Sequence, residues 1–252
     1  VAESDETAKH AAKLVKVSCE ELEPVLTIAE ALKRGDLYAP ERRIERGDVE
    51  AAFAECDVVL TGAVRSGGQE HVYLETQVCR AAPGEDRELT LYSATQATAE
   101  VQEVAARVLG LDSKDVTVDV RRLGGAFGGK ERAATIWACL AALACHRTRR
   151  PVELRLTRHE DMAWTGKRHP YESRYTAGFD RRGRLIACDL EMNANGGAYA
   201  DLSMAILERS MLHADNAYHI PNARIVARAC RTNLPPNTAF RGFGAPQGIF
   251  VI

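Results

Sequence analysis

The chain has 252 residues, enough for one large domain or two small ones, and its 46% hydrophobic and 27% charged content is ordinary for a globular protein. A formal net charge of -2 provides no overall field that would recruit nucleic acid or an anionic membrane surface. No run of about 18 or more apolar residues is present, which excludes a membrane-spanning helix of ordinary length.

The first hundred residues predict one helix and several strands. A short strand at 15–18 is followed by an apolar-periodic helix that ends near Gly35. The polar stretch 38–48 is typical of a linker and is the best candidate for a domain boundary. Three further strands are predicted, the first two joined by Gly67 and Gly68, at 57–66, 71–80 and 88–94.

The middle of the chain alternates helices and strands. Apolar residues at helical spacing predict a helix over 101–108, and Gly110 can end it in the left-handed conformation. Alternating valines predict a strand over 116–120. The segment 133–145 is apolar almost all round, which predicts a buried helix. A strand at 151–157 then leads into a short helix, since Thr157 and Glu160 have capping-box spacing.

The last third predicts a hairpin, a helix, a strand and a long loop. The hairpin covers 171–198 and turns at Gly183, which can supply a positive φ. A helix at 204–213 and a strand at 224–229 follow, and the proline- and glycine-rich stretch 233–248 is typical of a loop that carries a site. Together these elements predict a mixed α/β (α+β) fold.

Cysteine usage and the chain ends add two expectations. The seven cysteines are dispersed and include no C-x-x-C pair, which favours reduced thiols in a cytoplasmic protein over disulfides or a zinc site. Most are expected to be small buried hydrophobes. The chain begins without Met and stops on an apolar run at Ile252. We therefore expect a fragment of a longer polypeptide.

The stretch from Gly124 to Lys130 has the G-x-x-x-x-G-K spacing of a phosphate-binding P-loop, between a predicted strand and a predicted helix. The next position, however, holds Glu131 where a P-loop has Ser or Thr for the magnesium ion. A carboxylate there would repel a phosphate by about 4 kcal/mol at 4 Å and an effective dielectric of 20. A nucleotide site is therefore the weaker interpretation, and a loop that holds another anionic or oxygen-rich ligand remains.

Several residues near this loop are candidates for a site. The glycines let the main chain approach a ligand closely, with Phe127 as the one large side chain. Gln96 at a strand end, Glu131 at a helix start and Arg241 in the last loop each have an ordinary structural explanation alone. Together they indicate a loop with one acid and one guanidinium for a flat polar ligand. Lys130 has no assigned role and is expected to be solvated.

Six ordered motifs resemble the molybdenum-binding part of the xanthine dehydrogenase and xanthine oxidase family. Two are signature stretches, LGGAFGGKE (123–131) and TNLPPNTAFRGFGAPQG (232–248). The other four are GGQEHVYLET (67–76), SATQ (93–96), TGKRHPYESRY (165–175) and ILERSMLH (206–213). The resemblance runs from about residue 10 to the end of the chain. It implies a molybdenum–molybdopterin cofactor, held without protein side chains as direct metal ligands.

The resemblance also implies roles for individual residues. Gln96 is expected near the oxygen ligand of molybdenum, and Phe127 and Gly128 are expected to supply main-chain contacts to the cofactor. Glu131 and Arg241 match the two substrate-recognition positions and are expected to be both substrate-binding and catalytic. The resemblance implies that the arginine meets a purine carbonyl and stabilises the negative charge that develops on the ring, while the glutamate binds the far edge of the ring. Aldehyde oxidases usually lack this pair, so the resemblance favours hydroxylation of hypoxanthine and xanthine with water as the oxygen source.

The family pattern is incomplete in this chain. The general-base glutamate would lie beyond Ile252, and the [2Fe-2S] and FAD domains that accept the electrons are absent, so the chain alone is expected to be inactive.

The implied domains are 1–40, the C-terminal part of a preceding α/β hammerhead domain, and 41–252, the first part of the cofactor-binding domain. The expected partners are the remaining segments of the molybdenum subunit, iron–sulfur and FAD domains or subunits, and a purine. Alternatives are a related hydroxylase of aldehydes or N-heterocycles, a P-loop-like nucleotide-binding module, and an assembly domain without cofactor.

Overall fold

The computed structural model describes all residues from 1 to 252. The helices are α1 (Asp5–Ala12), α2 (Ile28–Arg34), α3 (Val49–Ala54), α4 (Thr98–Leu109), α5 (Ala133–Thr148), α6 (Arg158–Trp164), α7 (Ser203–Leu212) and α8 (Ala245–Ile249). The strands are β1 (Arg42–Arg46), β2 (Val58–Ser66), β3 (Val78–Pro83), β4 (Leu89–Ser93), β5 (Val116–Asp119), β6 (Val152–Arg155), β7 (Tyr171–Phe179), β8 (Leu185–Gly197) and β9 (Asn222–Arg231). A single 3-10 turn, Ser113–Asp115, precedes β5. None of these eight helices could span a lipid bilayer.

The strands form two mixed sheets. The larger has the order β1-β9-β8-β7-β2, in which only β8 and β9 are parallel. The smaller has the order β5-β4-β3-β6, in which only β4 and β5 are parallel. This architecture confirms the mixed α/β (α+β) fold class.

Each sheet has its own hydrophobic core. The core of the larger sheet joins β8 and β9 to α7 through residues such as Met192, Leu207 and Ala227. The core of the smaller sheet joins it to α4 and α5, where Leu91, Val101 and Ala138 are fully buried. A third, small cluster packs α2 against β9 through Cys230, so residues 25–37 lie against the larger sheet.

Most regular elements agree with the sequence predictions. Helix α4 ends at Gly110 with φ 65, and α6 begins with the predicted capping box of Thr157 and Glu160. Strands β7 and β8 form the predicted hairpin, with Gly183 at φ 75 in its turn. Four of the seven cysteines are buried, as expected of small apolar residues.

Four local predictions are wrong. No strand forms at 15–18, and the predicted linker contains β1, which pairs with β9. The predicted strand 71–80 is strand only from Val78. Helix α5 is not buried all round, because Ile136, Leu140 and Leu143 face solvent.

The topology of the smaller sheet explains why the predicted site residues from distant motifs meet. Gln96 follows β4, and the glycine-rich loop follows β5. Since β4 and β5 are parallel neighbours, their carboxyl ends lie at the same edge of the sheet, where α/β proteins commonly bind ligands.

Candidate functional site

The glycine-rich loop 123–132 and the loop 232–244 contact each other through their main chains. The backbone N–H of Arg241 donates a hydrogen bond of 2.9 Å to the carbonyl of Phe127. At the next residue, a Cβ on Gly128 would lie 2.7 Å from the carbonyl oxygen of Ala239. The two loops are therefore in direct main-chain contact, and Gly128 is required for their close approach.

Phe127 has a backbone conformation that is rare for a residue with a side chain. Its φ is 54°, and the following Gly128 has φ 98°. The Phe127 side chain is 51% exposed, so burial of the ring does not compensate for this conformation. Strained, exposed residues of this kind concentrate at ligand sites, where the surrounding structure holds them in place.

Gln96 fixes the turn of the glycine-rich loop and retains a free donor. Its Oε1 accepts a hydrogen bond of 3.0 Å from the Gly128 N–H, and its backbone N–H donates to the Lys130 carbonyl at 2.8 Å. The Gln96 Nε2 and the backbone N–H of Phe127 donate to no group of the chain. Two N–H donors on adjacent elements thus remain for an oxygen-rich ligand.

His71 packs behind both loops. Its Nε2 lies 2.7 Å from the Ala239 carbonyl, and its ring is 4.7 Å from that of Phe240. A Cβ on Gly129 would meet the imidazole at 2.8 Å, so that glycine makes room for the ring. Burial lowers the pKa of His71, which keeps the ring neutral with Nε2 assigned as the donor. The sequence motif contained His71 but gave no sign of this contact.

Lys130 is buried, and the prediction that it is solvated is wrong. None of its side chain is exposed, and Nζ donates to the Glu75 carbonyl at 2.7 Å and to Glu75 Oε2 at 3.1 Å. Nζ also lies 4.5 Å from the centre of the Tyr73 ring, and burial lowers the pKa of the amine. An amine held in this way cannot reach a phosphate in front of the loop, which argues against a P-loop-like nucleotide-binding module.

A buried hydrogen-bond network supports the loop from below, and the sequence analysis missed it. Asp161 is fully buried; its Oδ1 accepts from the Tyr73 hydroxyl and its Oδ2 from the Gln77 N–H, both at 2.7 Å. Gln77 Nε2 in turn donates to the Gly129 carbonyl at 2.9 Å. Burial, followed by the hydrogen bond to Asp161, raises the pKa of Tyr73, so the phenol stays a donor. The network fixes the position of the Gly129 carbonyl.

Glu131 lies half-buried at the start of α5 with no hydrogen-bond partner for its carboxylate. Burial raises its pKa, and the negative charge of Asp201 raises it further. Asp201 itself accepts a hydrogen bond of 2.7 Å from the Thr238 hydroxyl, which belongs to the loop that carries Arg241. The carboxyl group of Glu131 therefore lies in an environment that disfavours its charge, beside the second loop.

Arg241 occupies a tight turn at the surface. The N–H of Phe243 donates to the carbonyl of Phe240 at 2.7 Å, and Gly242 has the φ of 95° that the third position of a type II turn requires. The Arg241 side chain is exposed and makes no hydrogen bond or ion pair with the chain, including with Glu131. It is available for a ligand.

The remaining polar groups provide no other site of comparable design. No group of three His, Cys, Asp or Glu side chains lies together in a way that could hold a metal ion. A cavity of about 550 Å³ lies on the larger sheet, lined by apolar residues such as Leu60, Tyr175 and Ile252, and none of the predicted site residues lines it.

His169 makes stability depend on pH. It is fully buried, with Nε2 2.8 Å from the Ser203 hydroxyl, and burial lowers its pKa from 6.5 to about 4. The His169 side chain binds a proton more readily in the unfolded chain than in the folded one. Its contribution to the free energy of unfolding is therefore fully present above pH 6.5 and is lost as the pH falls towards 4. We expect the His169→Gln variant to lose about 2 kcal/mol less free energy of unfolding than the parent between pH 7.5 and 5. Urea unfolding at both pH values measures the difference.

The control for this experiment is His219→Gln, since His219 is exposed and makes no hydrogen bond with the chain. That variant should keep the pH dependence of the parent. Equal pH dependence in His169→Gln and the parent would contradict the assignment.

The fold resembles that of molybdenum hydroxylases. The aldehyde oxidoreductase of Desulfovibrio gigas superposes with a TM-score of 0.88 at 30% sequence identity, over 99% of this chain and 28% of that one. This likeness assigns the fold to the class of the cofactor-binding part of molybdenum hydroxylases. The chain belongs to the molybdopterin cofactor-binding domain family, whose match covers residues 33–252. This match confirms the resemblance drawn from the six motifs.

Two curated relatives match almost the whole chain. The xanthine dehydrogenase/oxidase of Mus musculus is 46% identical over 252 residues, which is 100% of this chain. The aldehyde oxidase 1 of Oryctolagus cuniculus is 48% identical over 249 residues, which is 98% of this chain. The chain spans only 19% of the length of either relative. Overall identity does not separate the two activities.

Proposed function

We propose that this chain holds the molybdenum–molybdopterin cofactor of a xanthine dehydrogenase-type hydroxylase and presents a purine to it. The observation that carries the proposal is the 2.9 Å hydrogen bond from Arg241 N–H to Phe127 O, because it joins the expected cofactor loop to the expected substrate loop. The reaction is hydroxylation of hypoxanthine to xanthine and of xanthine to urate, with water as the oxygen source.

The main chain and one amide fit such a cofactor. The free donors, Gln96 Nε2 and Phe127 N–H, suit a group rich in oxygen atoms, and Gly128 gives the main chain the close approach that a flat cofactor needs. When bound, the cofactor supplies the two-electron oxidation of the ring carbon. The residues of this chain position the cofactor, while Asp161 and Gln77 hold the loop in place from behind.

Arg241 and Glu131 give the proposed preference for purines. The free guanidinium of Arg241 stabilises negative charge that develops on the heterocycle as the ring carbon is attacked. Glu131, whose pKa is raised by burial and by Asp201, hydrogen-bonds the far edge of the ring. The carboxyl oxygens of Glu131 can accept a hydrogen bond from an N–H donor on that edge of the purine.

The rest of the reaction is proposed to depend on groups outside this chain. The general base, the [2Fe-2S] clusters and FAD would belong to further segments or subunits of a cytoplasmic enzyme, in keeping with the 19% share of its relatives that this chain spans. In this proposal, Arg241 and Glu131 are the residues that this chain contributes to the reaction, each both substrate-binding and catalytic.

Substrate profiling of the natural holoenzyme that carries this chain tests the proposal. We expect turnover of hypoxanthine and xanthine with much weaker turnover of aldehydes. Brisk aldehyde turnover without xanthine activity would instead identify an aldehyde or N-heterocycle hydroxylase.

The Glu131→Val variant is expected to shift the substrate preference. Loss of the carboxyl removes a hydrogen bond to the purine, so the ratio of xanthine to aldehyde kcat/KM should fall by roughly 10- to 100-fold, as for a lost bond to a charged or polar substrate group. Steady-state kinetics on both substrates measure the ratio. The exposed acid Glu103, on the outer face of α4, provides the control Glu103→Val, which should leave the ratio unchanged. A Glu131→Val enzyme that is still specific for purines would refute the role.

A further inference from the structure

The side chain of Arg168 lies beneath the turn that presents Arg241. Arg168 belongs to the segment between α6 and β7, and its Nη2 donates a hydrogen bond of 2.9 Å to the Arg241 carbonyl. Its Cζ lies 4.0 Å from the centre of the Phe240 ring. One guanidinium thus holds two consecutive residues of the turn, one by a hydrogen bond and one by cation–π stacking.

Arg168 is itself fixed at two further points. Its Nε donates to Gln69 Oε1 at 2.9 Å, and its backbone N–H donates to the Gln69 carbonyl at 3.0 Å. Its Nη1 is buried without a partner, and burial lowers the pKa of the side chain, although a guanidinium remains charged at neutral pH. A charged group held under these conditions is more rigid than a solvated arginine, since each of its contacts has a fixed direction.

The Arg241 side chain, in contrast to that of Arg168, is not fixed by contacts with the chain. It is exposed and makes no hydrogen bond or ion pair with the chain, so only the backbone of its turn determines the position from which the guanidinium extends. The backbone of the turn is held by the Phe127 carbonyl on one side and by Arg168 on the other. The contact with Phe127 ties the turn to the cofactor loop, and the contact with Arg168 ties it to the segment between α6 and β7.

We propose that Arg168 is a positioning residue for substrate recognition, which fixes the turn from which Arg241 reaches the purine and thereby sets the efficiency of purine turnover. The inference rests on the proposed function and adds a residue to it. Lysine cannot replace Arg168 fully, because a single ammonium group does not combine planar stacking on Phe240 with directed bonds to both Gln69 and the Arg241 carbonyl.

A double-mutant cycle on the natural holoenzyme tests the inference. We expect Arg168→Met to lower kcat/KM for xanthine by roughly 10- to 100-fold, the loss typical of a misplaced contact group, with molybdenum content unchanged. Arg168→Lys should restore part of the loss. In an Arg241→Met background, Arg168→Met should have little further effect, because the residue that it positions is already missing.

The control is Arg46→Met. Arg46 also donates to a loop carbonyl, that of Ile220 at 3.0 Å, but at the opposite end of β9 from the Arg241 turn. Its removal should leave xanthine kinetics unchanged.

Three other outcomes would each overturn the inference. An equal loss from Arg168→Met with and without Arg241 would overturn the positioning role and leave the proposed function intact. Loss of molybdenum in both Arg168→Met and Arg168→Lys would assign the residue to folding and also overturn it. If Arg241→Met alone left xanthine turnover unchanged, the proposed function would fail first, and this inference with it.

Discussion

Replacing Arg241 with Met is expected to lower xanthine kcat/KM by roughly 10²- to 10³-fold, or about 3–4 kcal/mol of transition-state stabilisation. The guanidinium is exposed and makes no hydrogen bond or ion pair with the chain, so it is free to meet the substrate. Its loss removes a positive charge that matters most as the heterocycle becomes negative. Methionine keeps the length of the apolar stem. Steady-state kinetics with xanthine, together with the molybdenum content of the purified enzyme, measure the effect.

The matched control is Arg231→Met. Arg231 is also exposed, makes no side-chain hydrogen bond, and lies at the end of β9 just before the same loop. Its replacement should change xanthine turnover by less than about twofold, as for surface substitutions in general. Similar losses in both variants, or an unchanged Arg241→Met enzyme, would contradict the substrate role of Arg241.

The Gly128→Ala variant is expected to lose both cofactor and stability. Gly128 has φ 98°, which L residues rarely adopt, and a Cβ there would lie 2.7 Å from the Ala239 oxygen and 3.0 Å from the Phe240 nitrogen. The two loops must therefore separate, which costs about 3 kcal/mol of the free energy of unfolding from strain and lost contacts. Urea unfolding measures the stability, and metal analysis of the holoenzyme measures the molybdenum content, which should fall severalfold.

The Gly110→Ala variant separates the cost of a positive φ from the cost of the steric contact between the two loops. Gly110 also has a positive φ, of 65°, but a Cβ there would have no heavy atom within 4 Å. This variant should lose only about 1 kcal/mol of stability, the cost of a side chain in the left-handed region, with full molybdenum content. Equal stability and equal molybdenum content in both variants would show that close approach of the loops is unimportant.

Elements with a local signature could be predicted from the sequence. Helix α4 has helical apolar spacing and a terminal glycine, and the β7–β8 hairpin has a turn with Gly183, so both were predicted correctly. Strand β1 was missed because Arg42–Arg46 reads RRIER, a charged stretch without alternation. Its strand conformation comes from pairing with β9, a contact about 180 residues away that no local pattern records.

Two other misses have the same tertiary origin. Residues 71–77 alternate like a strand, but His71, Tyr73 and Gln77 instead form polar contacts behind the two site loops. Helix α5 is apolar all round, yet the smaller sheet and α4 cover only one of its sides. Composition predicts how much apolar surface an element has, and the fold decides how much of that surface is covered.

The residues of the candidate site that lie within the sequence motifs could be predicted. The motifs predicted Gln96, Phe127, Gly128 and Arg241 near each other, and the structure joins Gln96 to Gly128 and Phe127 to Arg241 by hydrogen bonds. Their roles towards a cofactor and a substrate remain proposals. The burial of Lys130 was missed because its partner Glu75 lies 55 residues earlier, in a segment taken for a strand.

The position of molybdenum in the natural holoenzyme tests the central claim most directly. An anomalous difference map, collected at the molybdenum absorption edge from crystals of that enzyme, locates the metal without reference to any residue assignment. A single peak beside the Gln96 amide and the main chain of Phe127 and Gly128 is the predicted result. A peak elsewhere, for example in the apolar cavity near Leu60 and Tyr175, would contradict the account.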